Sequence, residues 1–166
     1  MAGFGIHAVD CLNHDFDLIL LISLKEVRME YKYSDVTEKI IRAAMNVHNI
    51  LGNGFQEVIY QRALAIEFDL MGIKYQREFS MQVYYKGIHI GERRVDFLVE
   101  GNISTELKAI TKLDNTNLTQ GINYLEAYNL EVGMLLNFGA SSLEWKRLFN
   151  KKFNPDLNSQ LKFKSD

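Results

Sequence analysis

The chain has 166 residues, of which 47% are hydrophobic and 24% charged, with 19 Lys and Arg against 21 Asp and Glu and a formal net charge of -2. This composition is typical of one packed globular domain and excludes a disordered or collagen-like chain. The near balance of charges excludes a global positive field, so any phosphate-binding surface must be local.

The first part of the chain fits no regular pattern. Its single cysteine, Cys11, excludes a disulfide framework and a cysteine-rich zinc site and fits a reducing cytoplasm. The apolar run at residues 18–24 is shorter than the roughly 20 residues of a membrane helix, and no Lys or Arg precedes it, so neither a membrane span nor a secretory signal is predicted. We interpret residues 1–30 as an extension of a cytoplasmic protein. The alternatives are a natural start at Met29 and a strand or helix added to the domain.

Two helices are predicted next. Asp35 followed by Glu38 has the spacing of a capping box, so the first helix is expected to begin there. Apolar residues at helical spacing continue it to Gly52. The second helix is predicted from near Phe55 to Gly72, where glycine again suits a helix end.

The pattern then changes to that of strands. Strand-like segments lie at residues 79–85, 88–90, 93–99, 103–109, 132–138 and 143–149. The first four predict a meander of three or four strands. A helix over residues 117–128 separates them from the last two, so the chain is predicted to be a mixed α/β protein. Residues 31–150 then form the domain, and residues 151–166 form a basic C-terminal tail.

One predicted hairpin carries facing charges. A turn centred on Gly101 places Asp96 opposite Glu106, with Cβ atoms about 4.5 to 5.5 Å apart. Because side chains alternate along a strand, one face of the hairpin is predicted to be buried and the other, here called the chemical face, to carry the reactive groups. The chemical face would carry Asp96, Leu98, Ser104, Glu106 and Lys108. Two facing carboxylates repel unless a cation or a proton relieves them, and Mg²⁺ or Mn²⁺ suits such oxygen ligands. The alternative is an ordinary solvated charged face.

Three further polar residues add to this pattern. Glu57 comes early in the second helix, just after a glycine-rich turn from which a side chain is easily aimed at a sheet edge. Gln120 and Tyr124 are four residues apart and share a helix face. Each is weak alone, because polar pairs at this spacing are more often solvated.

The motifs occur in an order that resembles a known family. Residues 54–60 read G-x-x-E-x-x-Y, Asp96 follows, residues 106–108 read E-L-K, and residues 120–124 read Q-x-x-x-Y. Over residues 33–149 the chain resembles the GxxExxY proteins of the PD-(D/E)XK nuclease superfamily, and its Q-x-x-x-Y is familiar from RecB-like exonucleases. The resemblance implies a restriction-endonuclease-like fold, a mixed central sheet flanked by helices.

The resemblance also implies catalytic roles. Asp96 and Glu106 would bind the metal, with the Leu107 carbonyl as a further ligand. Lys108 would position or polarise the attacking water and offset charge on the phosphate. Glu57 would complete the metal shell or orient a metal-bound water.

Other residues are candidates for the substrate. Gln120 and Tyr124 would hold the substrate strand or steady the lysine, and Arg93 and Arg94 would contact phosphates. The basic residues between 146 and 152 could do the same.

Two motif-associated residues have an alternative structural reading. His48 could approach the site, although a lone histidine more often packs or forms a hydrogen bond. Tyr60 fits the motif and could equally pack beneath Glu57.

These observations predict a metal-dependent nuclease that hydrolyses phosphodiester bonds by direct attack of water, with DNA as the favoured substrate. No Walker A sequence and no serine or cysteine triad is present. The alternative is a catalytically inactive nucleic-acid-binding or protein-interaction module with the same fold. A homodimer, or a subunit that needs a partner protein, also stays open.

Overall fold

The computed structural model describes residues 18–24, 27 and 32–157. The chain divides into two compact units, residues 1–36 and 37–166. In the first, residues 18–24 are helical, with exposed apolar side chains. Most of the predicted extension, including Cys11 and Met29, lies outside the described residues, as do residues 158–166 of the predicted tail. No helix in the described ranges combines the length and apolar character that a membrane crossing requires.

Two helices precede the sheet. Helix α1 is Ser34–Leu51 and helix α2 is Glu57–Leu70. Both predicted helices are confirmed, but the cap predicted at Asp35 is wrong, because this residue lies in the first turn of α1. Its carboxylate still suits the positive end of the helix.

Five strands form one sheet in the order β1-β2-β3-β4-β5. They are β1 Tyr75–Tyr85, β2 Ile88–Val99, β3 Ile103–Lys108, β4 Val132–Asn137 and β5 Glu144–Phe149. Only β3 and β4 are parallel, and helix α3, Asn115–Ala127, makes the crossover between them. The mixed α/β sheet flanked by helices is therefore confirmed. Residues 88–99 form one strand, so the meander has three strands.

The β2–β3 hairpin has the predicted register. Phe97 pairs with Thr105 and Val99 with Ile103, as a turn centred on Gly101 requires. Continuing this register places Asp96 opposite Glu106. On its other side, β2 pairs with β1 with a register shift between Val83 and Tyr84, and opposite Asp96 the pairing skips Glu78 at a φ of 51°. The strand is thus irregular beside Asp96, as strands often are at functional sites.

The prediction of one buried and one chemical face holds for only part of the hairpin. Leu98 and Ser104, assigned to the chemical face, are 7% and 4% exposed. Leu98 packs in a cluster with Leu125 of α3 and Leu135 of β4. The crossover helix therefore covers this face, and the polar chemistry is confined to the end at Asp96, Glu106 and Lys108.

Candidate active site

Asp96 connects three elements. Its Oδ2 accepts a hydrogen bond from the Leu107 backbone N–H at 2.7 Å, and its Oδ1 accepts one from Gln61 Nε2 at 3.1 Å. Gln61 lies on α2 and is only 5% exposed. The carboxylate is thus held between β2, β3 and α2, and each oxygen keeps a second lone pair for a further ligand. Gln61 was missed by the sequence analysis, although it lies one turn after Glu57 on the same helix.

Glu106 is a largely buried charged group of the site. Burial and the neighbouring Asp96 charge raise its pKa to about 7, although Arg93 and Lys108 oppose the shift. The side chain is 12% exposed, and Arg93 Nη2 lies 3.9 Å from Glu106 Oε2. Within the described part of the chain, Glu106 Oε1 is buried without a hydrogen-bond partner. An unpartnered buried oxygen is costly unless a cation, a proton or water completes it.

Arg93 connects this carboxylate to α3. Its guanidinium carbon lies 3.5 Å from the centre of the Tyr124 ring, within the range of a cation–π contact. Gln120 Nε2 donates to the Tyr124 hydroxyl at 2.6 Å. The structure therefore brings Gln120, Tyr124, Arg93 and Glu106 together in one chain of contacts.

Arg94 lies apart from these groups. Its guanidinium is 3.8 Å from the Glu78 carboxylate, and its side chain is 73% exposed. Neighbouring residues of a strand point to opposite faces, which separates it from Arg93. The phosphate contacts predicted for Arg93 and Arg94 stay a prediction, and the two side chains lie on different sides of β2.

The G-x-x-E-x-x-Y segment forms a turn that positions the Glu57 carboxylate. Gly54 has a φ of 102°, a conformation that side chains disfavour. The Tyr60 hydroxyl donates to the Gly52 carbonyl at 2.9 Å and accepts from the Phe55 N–H at 3.1 Å. Glu57 starts α2, and its Oε1 accepts a hydrogen bond from the Ala109 N–H at 3.3 Å. Tyr60 therefore acts as a structural anchor for the turn that places Glu57 beside the end of β3.

Replacing Tyr60 with phenylalanine is expected to lower the free energy of unfolding by about 1–3 kcal/mol, because the Gly52 carbonyl and the Phe55 N–H lose their partner. Thermal unfolding should show a fall in Tm of several degrees. Tyr85, 61% exposed, offers the matched control Tyr85→Phe, which should leave Tm unchanged. Equal Tm values for both variants would contradict the anchoring role.

Lys108 is the last residue of β3, where hydrogen bonds fix the backbone. Its carbonyl accepts a hydrogen bond from the Phe138 N–H at 2.8 Å. The buried Asn137 accepts from the N–H groups of Ile110 and Gly139 and donates to Glu144. The Lys108 side chain is half-buried and forms no hydrogen bond or ion pair with any described residue. Its ammonium is therefore available to a substrate.

Gly139 permits close packing beside this lysine. A Cβ atom at this position would lie 2.4 Å from the Ile110 nitrogen, so only glycine fits. The Asn137-Phe138-Gly139 stretch thus supports the chain that leaves β3.

His48 packs against residues that follow β4. It is 8% exposed, and its Nε2 lies 3.1 Å from the Ala140 carbonyl oxygen. Its ring stacks on Phe138 with centroids 6.4 Å apart. These contacts favour the packing role over a catalytic one.

The donor set fits a divalent cation with few protein ligands. No group of three or more His, Cys, Asp or Glu side chains within the described ranges is arranged to hold a metal. Mg²⁺ commonly uses one or two carboxylates and fills its other positions with water and substrate phosphate. Asp96 and the unpartnered oxygen of Glu106 provide such a pair. Leu107 meets Asp96 through its N–H, and Glu57 lies close enough to raise the pKa of Glu106.

Similarity to individual known proteins is limited. A search of curated proteins gives no match. Among solved structures, the one described as "Crystal structure of SSO0001" is similar at 17% sequence identity and a TM-score of 0.45, over 74% of this chain. The match covers 62% of that protein's chain.

A family model gives the broader assignment. The model described as the PD-(D/E)XK nuclease superfamily matches residues 34–148, which is more than half of the chain. Proteins of this superfamily are typically hydrolytic nucleases that use divalent metal ions. The chain therefore belongs to the PD-(D/E)XK nuclease superfamily.

Proposed function

We propose that this chain is a Mg²⁺- or Mn²⁺-dependent nuclease of the GxxExxY type that hydrolyses phosphodiester bonds of DNA. The observation that carries the proposal is the Asp96–Glu106 pair, with its unpartnered buried oxygen, next to a lysine whose ammonium is uncommitted among the described residues. The choice of DNA follows from the resemblance of residues 120–124 to RecB-like exonucleases.

The side chains divide the work of the reaction. Asp96 and Glu106 hold the cation, the Leu107 carbonyl is proposed as a further ligand, and Glu57 orients water beside them. A bound divalent cation supplies a Lewis acid that polarises the phosphate and lowers the pKa of water. Lys108 donates to the phosphate oxygens and offsets the charge that develops on them in the transition state.

Residues at and beside helix α3 position Glu106 and the substrate. Arg93, held on the Tyr124 ring, keeps Glu106 in place through charge. The exposed carboxamide of Gln120 faces solvent next to Tyr124, where it can contact the strand being cut.

The direct test is cleavage of a panel of single- and double-stranded DNA and RNA with Mg²⁺ or Mn²⁺, and with EDTA. Cleavage of DNA that requires the metal is expected, and the same gel separates cuts within the strand from trimming at its ends. Binding without turnover on every substrate would instead favour an inactive binding module. Activity that appears only after addition of a cell extract would indicate a partner-dependent subunit.

Replacing Tyr124 with leucine is expected to lower kcat by about 2- to 30-fold, since a cation–π contact contributes about 0.5–2 kcal/mol. Tyr124→Phe keeps the ring beneath Arg93 and loses only the hydroxyl, so its kcat should stay within about threefold of wild type. The measurement is kcat and KM for both variants on the preferred substrate. If the two variants lose equal activity, the hydroxyl matters and the ring contact with Arg93 does not.

A further inference from the structure

A groove of about 520 Å³ lies between the start of α3 and the start of β5. Trp145 lines it and is 45% exposed, which is unusual for so large an apolar side chain on an edge strand. Lys112 and Lys146 line the same groove. The groove is therefore bordered by an aromatic residue and two lysines.

The groove opens at the same end of the sheet as the proposed active site. Lys108 pairs with Asn137 across β3 and β4, and Asn137 pairs with Glu144 across β4 and β5. Neighbouring strands are about 4.8 Å apart, so the start of β5 lies about 10 Å from the backbone of Lys108. Trp145 follows Glu144 directly. This separation corresponds to one or two nucleotides of an extended strand.

The groove is lined by two lysines and two carboxylates, so its formal charges balance. Both carboxylates accept hydrogen bonds: Glu144 Oε2 accepts from the Leu113 backbone N–H and the Asn137 side-chain amide, and the Asp114 side chain accepts from the Asn117 N–H. Neither Lys112 nor Lys146 forms an ion pair with a described residue. Hydrogen bonds from Asn137 and Leu113, and then the charges of both lysines, lower the pKa of Glu144. Because neither lysine is held in an ion pair within the described ranges, both ammonium groups can still contact phosphate.

We propose that this groove binds an unpaired nucleotide next to the cleavage site, with its base stacked on Trp145 and its flanking phosphates on Lys112 and Lys146. Basic side chains that contact the phosphates, beside an aromatic face for the base, are the usual means of holding single-stranded nucleic acid, and stacking accepts any base. This inference rests on the proposed nuclease function and adds a preference for single-stranded segments. A paired base is buried in its own stack and cannot offer its face to Trp145.

Tryptophan fluorescence measures this stacking directly, because Trp145 is the only tryptophan of the sequence. The full chain is titrated in EDTA with an oligothymidylate and, separately, with a duplex of the same length, while fluorescence anisotropy of a labelled oligonucleotide measures binding. The single strand should quench the tryptophan emission over the same concentrations at which anisotropy rises. The duplex should bind without quenching.

Two sets of variants check the assignment. Trp145→Ala should weaken single-strand binding by about 5- to 150-fold, whereas Trp145→Phe should retain most of it and controls for folding. Tyr85→Ala, at an exposed tyrosine of the β1–β2 hairpin, should leave affinity unchanged. Replacing Lys112 and Lys146 with alanine should reduce the slope of log K against log salt by about 0.7 for each phosphate that the protein no longer neutralises.

Failure of the groove is distinguishable from failure of the nuclease. Single-strand binding without quenching, or equal quenching by the duplex, overturns the groove, while metal-dependent cleavage in the separate assay would still support the nuclease. Quenching by the single strand without any cleavage supports the groove and contradicts the nuclease. Absence of both binding and cleavage overturns both proposals.

Discussion

Replacing Lys108 with methionine is expected to lower kcat for phosphodiester cleavage by about 100- to 1000-fold, the usual loss when one group that stabilises transition-state charge is removed. Methionine keeps an unbranched stem of similar length and removes only the charge. The half-buried Lys108 side chain has no partner among the described residues, so its replacement should leave the fold intact. The measurement is kcat at saturating oligonucleotide and Mg²⁺, with circular dichroism to verify folding.

The matched control is Lys86→Met, at an exposed lysine in the turn between β1 and β2. It removes the same charge far along the hairpin and should retain wild-type kcat. Asp96→Ala should also abolish cleavage, but it removes the acceptor of two hydrogen bonds, so its Tm must be measured alongside. A folded Lys108→Met variant that cuts at the wild-type rate would contradict the proposed mechanism.

The hairpin that carries the site could be predicted because its signals are local. A turn at Gly101, with a φ of 68°, sets the register of both strands, and alternation then assigns each side chain to a face. The i,i+4 spacing that placed Gln120 beside Tyr124 is equally local and is confirmed by their hydrogen bond. Helices, strands and their order follow from patterns of the same kind.

The contacts that sequence reasoning missed join distant segments. Gln61 reaches Asp96 across 35 positions of the chain, and no periodicity predicts which residue of α2 will face that carboxylate. The burial of Leu98 depends on where the crossover helix α3 lies, which strand alternation does not determine. The contact of Arg93 with the Tyr124 ring depends on the same helix placement, so it could not be predicted from the sequence. Arg93 was therefore predicted only to contact phosphate.

The motif spacing carried more information than its individual residues. Within residues 54–60, Gly54 permits the turn and the Tyr60 hydroxyl stabilises it by hydrogen bonds. Together they position Glu57 beside the end of β3. Only Glu57 is chemically reactive in this segment. A spacing that combines structural and chemical residues explains why the resemblance identified the family better than the lone E-x-K could.

Glu106→Gln is expected to stabilise the metal-free protein at pH 8 while abolishing cleavage. The folded state raises the pKa of Glu106 from 4.5 to about 7, chiefly through burial and then through the charge of Asp96. The ionised form is thus disfavoured in the folded protein, so the contribution of Glu106 to stability is fully present below pH 4.5 and is lost as pH rises through 7. Such a shift corresponds to at most about 3 kcal/mol. Glutamine keeps the shape of the side chain without the charge.

The measurement is the free energy of unfolding in EDTA between pH 5 and pH 8. The advantage of Glu106→Gln over wild type should be small at pH 5 and should grow to about 1–3 kcal/mol at pH 8. Excess Mg²⁺ should then stabilise wild type by mass action but not the variant, which has lost a ligand charge. Glu38→Gln, at an exposed position of α1, controls for the amide itself. If the stability advantage of Glu106→Gln did not change with pH, the raised pKa of Glu106 would be contradicted. Equal stabilisation of both proteins by Mg²⁺ would contradict the role of Glu106 as a metal ligand.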